Sequence, residues 1–454
     1  MISSIDPSTG EVLAEYEEYS DQKINECIEK AELAYHSYQK TSLNKKISLM
    51  LNAASILEKQ KEEFSKLMTL EMGKPIVQSR AEIDKCIWLC NYYSGTAEHF
   101  LADEIIQTEA KKSFVSFQPL GIILAVMPWN FPFWQVFRFA VPNLLAGNTC
   151  MLKHSSNVSG TALAIEKIFI DAGLSENIFK TLLIPSLKVK QVIEHPFVKA
   201  VTITGSTPAG KSVAAIAGNV LKKSVLELGG SDPYVILEDA DLIEAAKACV
   251  TSRLINGGQS CIAAKRFIVV EKIFEQFQDL FVEQMKLRKM GNPFDESVVI
   301  GPQARIDLRN ELHTQVEHSI QQGAELLLGG FIPEGKGAFY PPTVLTNVNE
   351  NNIVFTEEIF GPVAPLIKAR DEDDAIRLAN KTVFGLGAAV FTKDLDKGER
   401  IAKEKIVAGS CFVNSFVKSD PRLPFGGINH SGYGRELGLF GIREFVNIKT
   451  IFMG

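Results

Sequence analysis

Apolar positions recur along the first hundred residues with the period of a helix. Ile24, Ile28, Ala31, Tyr35 and Tyr38 share one face, and Ser20 or Asp21 stands ready to cap the first turn. Ile47, Met50, Leu51, Ala54 and Leu57 predict a second helix running as far as Gly73-Lys74-Pro75, a glycine stop followed by proline. A third helix is expected over residues 82–101. The chemistry then switches, and residues 114–117 and 122–126 read as strands. From Val141 onward short apolar runs alternate with longer amphipathic ones. Residues 149–152 precede a helix over 162–170; residues 200–204 precede a helix from Pro208, and residues 224–228 follow that helix. A second series starts at 234–237 and continues through 266–270, Phe391 and 411–413. This βαβ rhythm predicts an α/β fold of parallel sheets with covered faces, the seam between two such domains falling at Gly229-Gly230. Residues 447–452 read as an exposed strand, and exposed strands usually find a partner.

One stretch could pass for a membrane span. Residues 119–147 are very apolar, but Pro128, Pro132 and Pro142 interrupt them, with Asn130, Gln135 and Arg138 between. Such prolines free carbonyls that a bilayer leaves without partners, so a buried strand over 121–127, a loop and a buried helix are expected instead.

Composition narrows the picture further. A chain of 454 residues is too long for one core, and its 46% apolar and 22% charged content is that of an ordinary globular protein. The net charge of −6 advertises no surface for nucleic acid or an anionic membrane. Seven cysteines, an odd number, do not form an evident disulfide framework and point to a reducing compartment. The first residues carry neither a basic nor an apolar signal segment, so a cytoplasmic protein is expected.

The most literal motif is Gly205-Ser-Thr-Pro-Ala-Gly210-Lys211-Ser212, which satisfies the phosphate-loop pattern between a strand and a helix. Glu238 and Asp239 could act as the acidic strand end that holds magnesium in such proteins. Against this, Pro208 removes one N–H from a cradle made of N–H groups. A P-loop phosphotransferase is therefore the runner-up. The fingerprint G-x-G-x-x-G, H-E-x-x-H and paired-cysteine zinc patterns do not occur; Cys86 and Cys90, one helical turn apart, fit a core, and a metal site is unsupported.

Three residues outline a different chemistry. Cys261 follows Gly257-Gly-Gln-Ser260, a bendable approach whose backbone N–H groups would favour a thiolate. Glu227 is a carboxylate at the end of an apolar strand, where burial would raise its pKa towards that of a useful base. Asn130 is a lone amide in the most apolar loop, able to hold an oxyanion or simply to stabilise a turn. Nucleophile, base and oxyanion donor together describe acyl chemistry on a carbonyl.

On these residues the chain resembles the aldehyde dehydrogenase superfamily. The resemblance spans essentially the whole chain and rests on six ordered motifs: Pro128-Trp-Asn-Phe-Pro132, Thr204-Gly-Ser206, Glu227-Leu-Gly-Gly230, Gly258-Gln-Ser-Cys261, Glu357-Glu-Ile-Phe-Gly-Pro362 and Pro424-Phe-Gly-Gly427. It implies a cofactor domain (1–102 and 121–228), a catalytic domain (229–430) and a small β oligomerisation arm (103–120 and 431–454) that makes a homodimer or homotetramer. It also accounts for the phosphate-loop match, because in the family the Thr204-Gly-Ser turn opens a helix that receives the cofactor pyrophosphate. Cys261 would be the nucleophile, Asn130 and the Cys261 backbone N–H the oxyanion donors, and Glu227 the base that activates water on the thioester. Lys153 would meet the adenosine ribose and Glu358 the nicotinamide ribose, with Trp129, Ser206 and Phe360 lining the cofactor. A catalytically silent relative is the third reading, and retention of all three catalytic residues argues against it.

Within the superfamily the chain is most similar to succinate-semialdehyde dehydrogenases. Arg138 and Ser419 fall where those enzymes bind the substrate carboxylate. The departure is Ile255, where larger relatives carry a second arginine; Arg422 is a candidate replacement. NAD-preferring members carry a glutamate three residues after the ribose lysine, and here that position is Ser156. With Ser155 beside it, the hydroxyls replace a repelling carboxylate, so NADP is the expected preferred cofactor and NAD a possible one.

Overall fold

The computed structural model describes all residues, 1–454. Two sheets organise it. The first has six strands in the spatial order Gly432–Tyr433, Lys223–Glu227, Val198–Thr204, Ile122–Met127, Thr149–His154 and Phe179–Thr181, parallel except for the first. The second has seven: Glu325–Leu328, Thr343–Thr346, Val363–Ala369, Ala264–Val270, Asp232–Ile236, Gly387–Phe391 and Ser410–Val413, again parallel except for the first. The central strands are buried on both faces, which is why they read as unbroken apolar runs. Ile123 and Ala125 enter one core while Ile122 and Leu124 enter another. Tyr234 and Ile236 likewise face away from Val235.

The chain crosses from the first sheet to the second between Glu227 and Asp232, through Gly229-Gly230. The ambiguous apolar stretch resolves into the strand Ile122–Met127 and the helix Trp134–Ala146, every residue of which is buried in protein. No helix is long and apolar enough to cross a membrane.

The N-terminal helices depart from the periodicity in two places. Asp21–Tyr38 forms with Ser20 as cap, its hydroxyl accepting from the Lys23 N–H at 3.2 Å. The expected second helix is two, Leu43–Lys59 and Lys61–Met72, because Gln60 leaves the helical region at φ −108° and ψ 18°. The apolar stripe continues through the break, so periodicity did not reveal it. The next helix, Ile76–Phe100, starts six residues before the expected Glu82, directly after Pro75. An N-terminal hairpin, Ile2–Ile5 with Val12–Tyr16, was not foreseen.

The segments expected to form an arm make a three-stranded antiparallel sheet in which Lys112–Pro119 pairs with Val446–Met453 and with Glu104–Ile105. Its second segment begins at Val446, not at residue 431. Gly432–Tyr433 instead closes the edge of the six-stranded sheet, and helix Gly438–Arg443 packs on Trp134–Ala146. On the outer strand Ile448 and Phe452 remain exposed.

Candidate active site

The site lies where strands of the first sheet end and a loop of the second comes up beneath them. Ile122–Met127 and Val198–Thr204 are neighbours, but the chain leaves them in opposite directions across the sheet, so a crevice opens beyond their carboxyl ends. Into it project Pro128-Trp-Asn from one strand and Gly205-Ser206 from the other. Ser206 caps the helix Thr207–Asn219, its hydroxyl accepting from the Ala209 N–H; Pro208 has no N–H, so Thr207 holds the one uncommitted N–H of the first turn, at the positive end of the helix dipole beside the crevice. Gly210, the second glycine of the phosphate-loop match, packs against Leu228, into which an added Cβ would collide. Its role is helix-to-strand packing. Asp239, the supposed magnesium ligand, belongs to the other sheet, where it accepts from the Thr392 hydroxyl and from the N–H groups of Lys393 and Asp394. The two halves of a phosphotransferase site are therefore not together.

The loop before Cys261 needs unusual backbone. After the helix Leu242–Leu254, Asn256, Gly257 and Gly258 take φ values of 52°, 60° and 79° in succession. Only glycine and asparagine adopt that region at little cost. Gly258 also lies so close to Gly361 that a Cβ would strike its carbonyl, which joins the Gly258–Cys261 motif to Glu357–Pro362. Asn256 Nδ2 donates to the Asn130 carbonyl at 2.7 Å and to the Gln259 carbonyl at 3.2 Å, fastening the loop to the Pro128–Pro132 turn. Beneath it the buried Lys265 ammonium donates to the Ser260 and Cys261 carbonyls at 2.9 and 2.6 Å and pairs with Glu358 at 3.3 Å. Glu358 also accepts from the Gly230 N–H at 3.0 Å.

Cys261 stands on the wall between two cavities. One, of about 260 Å³, is lined by Trp129, Asn130, Thr204, Gly205, Ser206, Gly229, Glu358 and Phe360. The other, of about 430 Å³, is lined by Lys85, Phe131, Trp134, Arg138, Ile255, Ser419 and Phe425 among others. Only Cys261 and Gln135 line both. Burial pushes the Cys261 thiol up to about 12, with Lys265 and Arg138 opposing. Desolvation thus outweighs the two cations at this half-buried thiol.

Asn130 is held by both ends of its amide. Nδ2 donates to the Gln259 carbonyl at 3.1 Å and Oδ1 accepts from Gln135 Nε2 at 3.0 Å, so the nitrogen faces the Cys261 loop. The turn that carries it is anchored by Glu82, which accepts from the Phe133 and Trp134 N–H groups at 2.9 Å and pairs with the buried Lys74. Removing one member of such a buried pair typically costs about 3–5 kcal/mol.

Glu227 ends the strand Lys223–Glu227 and is fully buried, with no hydrogen-bond partner on either carboxylate oxygen. Burial first, then the Glu436 carboxylate, holds its pKa well above the usual range, while Arg138 and Arg435 pull the other way. It lines neither cavity and packs against Gly426. To reach a group on Cys261 its side chain must turn.

The remaining residues divide. Arg138 faces the larger cavity, ion-paired with the buried Glu436 and lying 4.7 Å from the Phe425 ring centre. Ser419 lines the same cavity and accepts from Lys85 Nζ at 2.6 Å. Arg422 does not take the place of the missing arginine. It makes a bidentate pair with Asp420 at 2.9 and 2.7 Å and lies outside the cavity, over Trp88. Lys153, Ser155 and Ser156 follow one another at the end of Thr149–His154 and do not line the smaller cavity. Ser155 donates to Asn157 Oδ1 at 2.7 Å, whereas Ser156 is exposed.

Sequence reasoning missed Lys85, Glu436, Gln135, Lys265 and Arg288. The only signal for Lys85 was its spacing from Gln78, Ala81 and Glu82, which puts all four on one helical face, and all four line the cavity.

Comparison with known proteins agrees with this arrangement. The model of the aldehyde dehydrogenase family matches residues 1–451. The chain is 46% identical over 452 residues to a probable NADP(+) succinate-semialdehyde dehydrogenase of Synechocystis sp., covering 100% of this chain and 99% of the relative. It is 46% identical over 457 residues to an NADP(+) succinate-semialdehyde dehydrogenase of Mycobacterium avium, covering 100% and 97%. Among solved structures, the succinic semialdehyde dehydrogenase of Streptococcus pyogenes in complex with NADP+ superposes with a TM-score of 0.98 at 36% identity, covering 100% of both chains. A thiol between two cavities, six motifs in order and a match along the whole chain have one reading: the protein is a member of the aldehyde dehydrogenase family.

Proposed function

We propose that this enzyme oxidises succinate semialdehyde to succinate with NADP as the preferred acceptor. The observation that carries the substrate is the charge of the larger cavity. Lys85, Arg138, Arg288 and Lys418 face it, against a single carboxylate, Glu82, which is already paired with Lys74. An aldehyde with a carboxylate at its far end fits such a wall; Arg138 already has Glu436, but a neutral chain of the same length leaves Lys85, Arg288 and Lys418 without a carboxylate partner. The names of the relatives agree with this reading.

The lining of the smaller cavity suits the nicotinamide end of a dinucleotide, whose adenosine end would extend beyond it past Lys153. Ser206 and the N-terminus of Thr207–Asn219 would hold the pyrophosphate, Lys153 the adenosine ribose and Glu358 the nicotinamide ribose, with Trp129 and Phe360 along the walls. Ser156, exposed where a carboxylate would repel a 2′-phosphate, favours NADP, while the Ser155 hydroxyl is already given to Asn157. The bound cofactor supplies a hydride acceptor.

On the protein side, the Cys261 thiol gives its proton to water and the sulfur attacks the aldehyde carbon. Asn130 and the Cys261 backbone N–H stabilise the oxygen that becomes negative. Loss of hydride from the resulting carbon leaves a thioester on Cys261. Glu227 turns towards it, takes a proton from water and directs the hydroxide at the carbonyl, and the thiolate leaves. Arg138 and Ser419 hold the distant carboxylate.

A kinetic panel with succinate semialdehyde, butanal and both cofactors tests the reading. A higher kcat/KM for butanal than for succinate semialdehyde would reject the substrate, and a tenfold or greater preference for NAD would reject the cofactor. We further propose that the exposed Val446–Met453 strand pairs across a subunit boundary, to be checked by sedimentation of the full chain at micromolar concentration, where a monomer would contradict it.

A further inference from the structure

We infer that Lys85 is a specificity-determining residue of this enzyme, the second cation that receives the substrate carboxylate in place of the arginine missing at Ile255. The inference rests on the proposal that the substrate is an aldehyde carrying a carboxylate.

The geometry supports it in three ways. Lys85 is on the inner face of Ile76–Phe100, and its ammonium reaches the far wall of the cavity, donating to Ser419 Oγ at 2.6 Å. A hydroxyl that accepts from an ammonium keeps its own proton free to donate onward, so Lys85 and Ser419 form a polarised pair directed at an anion. The ammonium also lies 4.2 Å from the Trp134 ring centre, which fixes its position across the cavity. Ile255 lines the same cavity but contributes only an apolar surface.

Lys85 has no carboxylate partner of its own; Arg288 and the exposed Lys418 have none either, but only Lys85 donates to Ser419 across the cavity. Arg138 is paired with Glu436, Lys74 with Glu82, and Arg422 with Asp420. Lys85 is half-buried, so its ammonium is partly stripped of water without a counter-ion, and a ligand carboxylate would supply the missing charge. Burial and the facing Arg138 guanidinium accordingly depress Lys85 to about 8, while Glu82 and Cys86 on its own helix and Asp420 on the opposing loop act the other way. Substrate carboxylate would complete the set, and its binding should favour protonated Lys85.

The test compares kcat/KM for succinate semialdehyde with that for butanal in wild type, Lys85→Met and Lys85→Arg, at several pH values from about 6.5 to 9.5. The ratio should fall about tenfold or more in Lys85→Met and less than about threefold in Lys85→Arg, which keeps the charge. In wild type the ratio should decline as pH rises through about 8, where Lys85 loses its proton. In Lys85→Arg it should stay flat. An unchanged ratio in a folded Lys85→Met protein would overturn the role. If that variant does not fold, a decline in Lys85→Arg matching that of wild type overturns it instead. A wild type without preference for succinate semialdehyde would overturn the substrate itself. A wild-type preference that survives Lys85→Met would leave the substrate standing and remove Lys85 alone.

Discussion

The two cavities that meet at Cys261 are built from different materials. The smaller is shaped by backbone: a helix N-terminus after Ser206, a strand-end turn at Trp129-Asn130, and Gly229, where a Cβ would collide with the Glu358 carboxylate. The larger is shaped by side chains drawn from distant segments, with Lys85, Arg138, Ile255, Arg288 and Ser419 on its walls. A backbone site recognises what all members of a family share, because it needs a fold and a few glycines. A side-chain site can be altered one residue at a time without disturbing the sheet, and specificity is placed there.

The largest effect should come from the wall the two cavities share. Cys261→Ala is expected to lower turnover by at least about a thousandfold while cofactor affinity, measured by calorimetry, stays near that of wild type. Retained steady-state turnover would break the assignment of Cys261 as the link between the two sides.

Glu227→Gln should slow thioester hydrolysis about a hundredfold or more, with acylation less affected. Rapid mixing would then show a burst of reduced cofactor followed by a slow phase. In wild type the raised pKa of Glu227 implies that hydrolysis accelerates as pH rises through that value, because only the deprotonated carboxylate can accept the water proton. A burst of equal size in both proteins would remove Glu227 from the second half of the reaction.

The thiol of the free enzyme offers a pH test that needs no substrate. With Cys261 held near 12, thiolate is scarce at neutrality. Alkylation by iodoacetamide should therefore speed up about tenfold per pH unit, or about a hundredfold between about pH 7 and 9. A rate that levels off near pH 8 would mean that the backbone and Lys265 outweigh desolvation.

On the substrate side, truncating one partner of a buried charge pair typically costs about 2–5 kcal/mol. Arg138→Ala should raise KM for succinate semialdehyde by about thirtyfold or more, and KM for butanal much less. Because Glu436 loses its partner too, a lower melting temperature is expected as well. Equal effects on both aldehydes would make Arg138 a structural residue and weaken the contrast between the cavities. The smallest effect belongs to Ser156, proposed to face the cofactor's 2′ position, where Ser156→Glu should move preference towards NAD by about tenfold through weaker NADP binding. An unchanged ratio would show that this exposed serine does not read the phosphate.

Part of the substrate side was legible and part was not. Arg138 and Ser419 could be reached through their distance from recognisable motifs, and both line the larger cavity. The replacement for the missing arginine could not. Arg422 is close to Ser419 in the chain, yet it turns outward to Asp420. Lys85 is 334 residues away from Ser419 and donates to it. Glu436 looked like any acid in the C-terminal segment until the edge strand Gly432–Tyr433 brought that segment back against the first sheet, where Glu436 meets Arg138 and raises Glu227.

The sequence alone determined what local chain chemistry can encode. Alternating apolar runs specified two covered parallel sheets, Gly229-Gly230 the crossing between them, and Asn256-Gly-Gly258 a turn that other residues resist. Those features arise within a few residues, so a contiguous motif records them. Tertiary structure decided which charges are neutralised, which are left facing a cavity, and that desolvation pushes the Cys261 thiol upward. These depend on desolvation and on partners hundreds of residues distant, and neither is a property of any single stretch of chain.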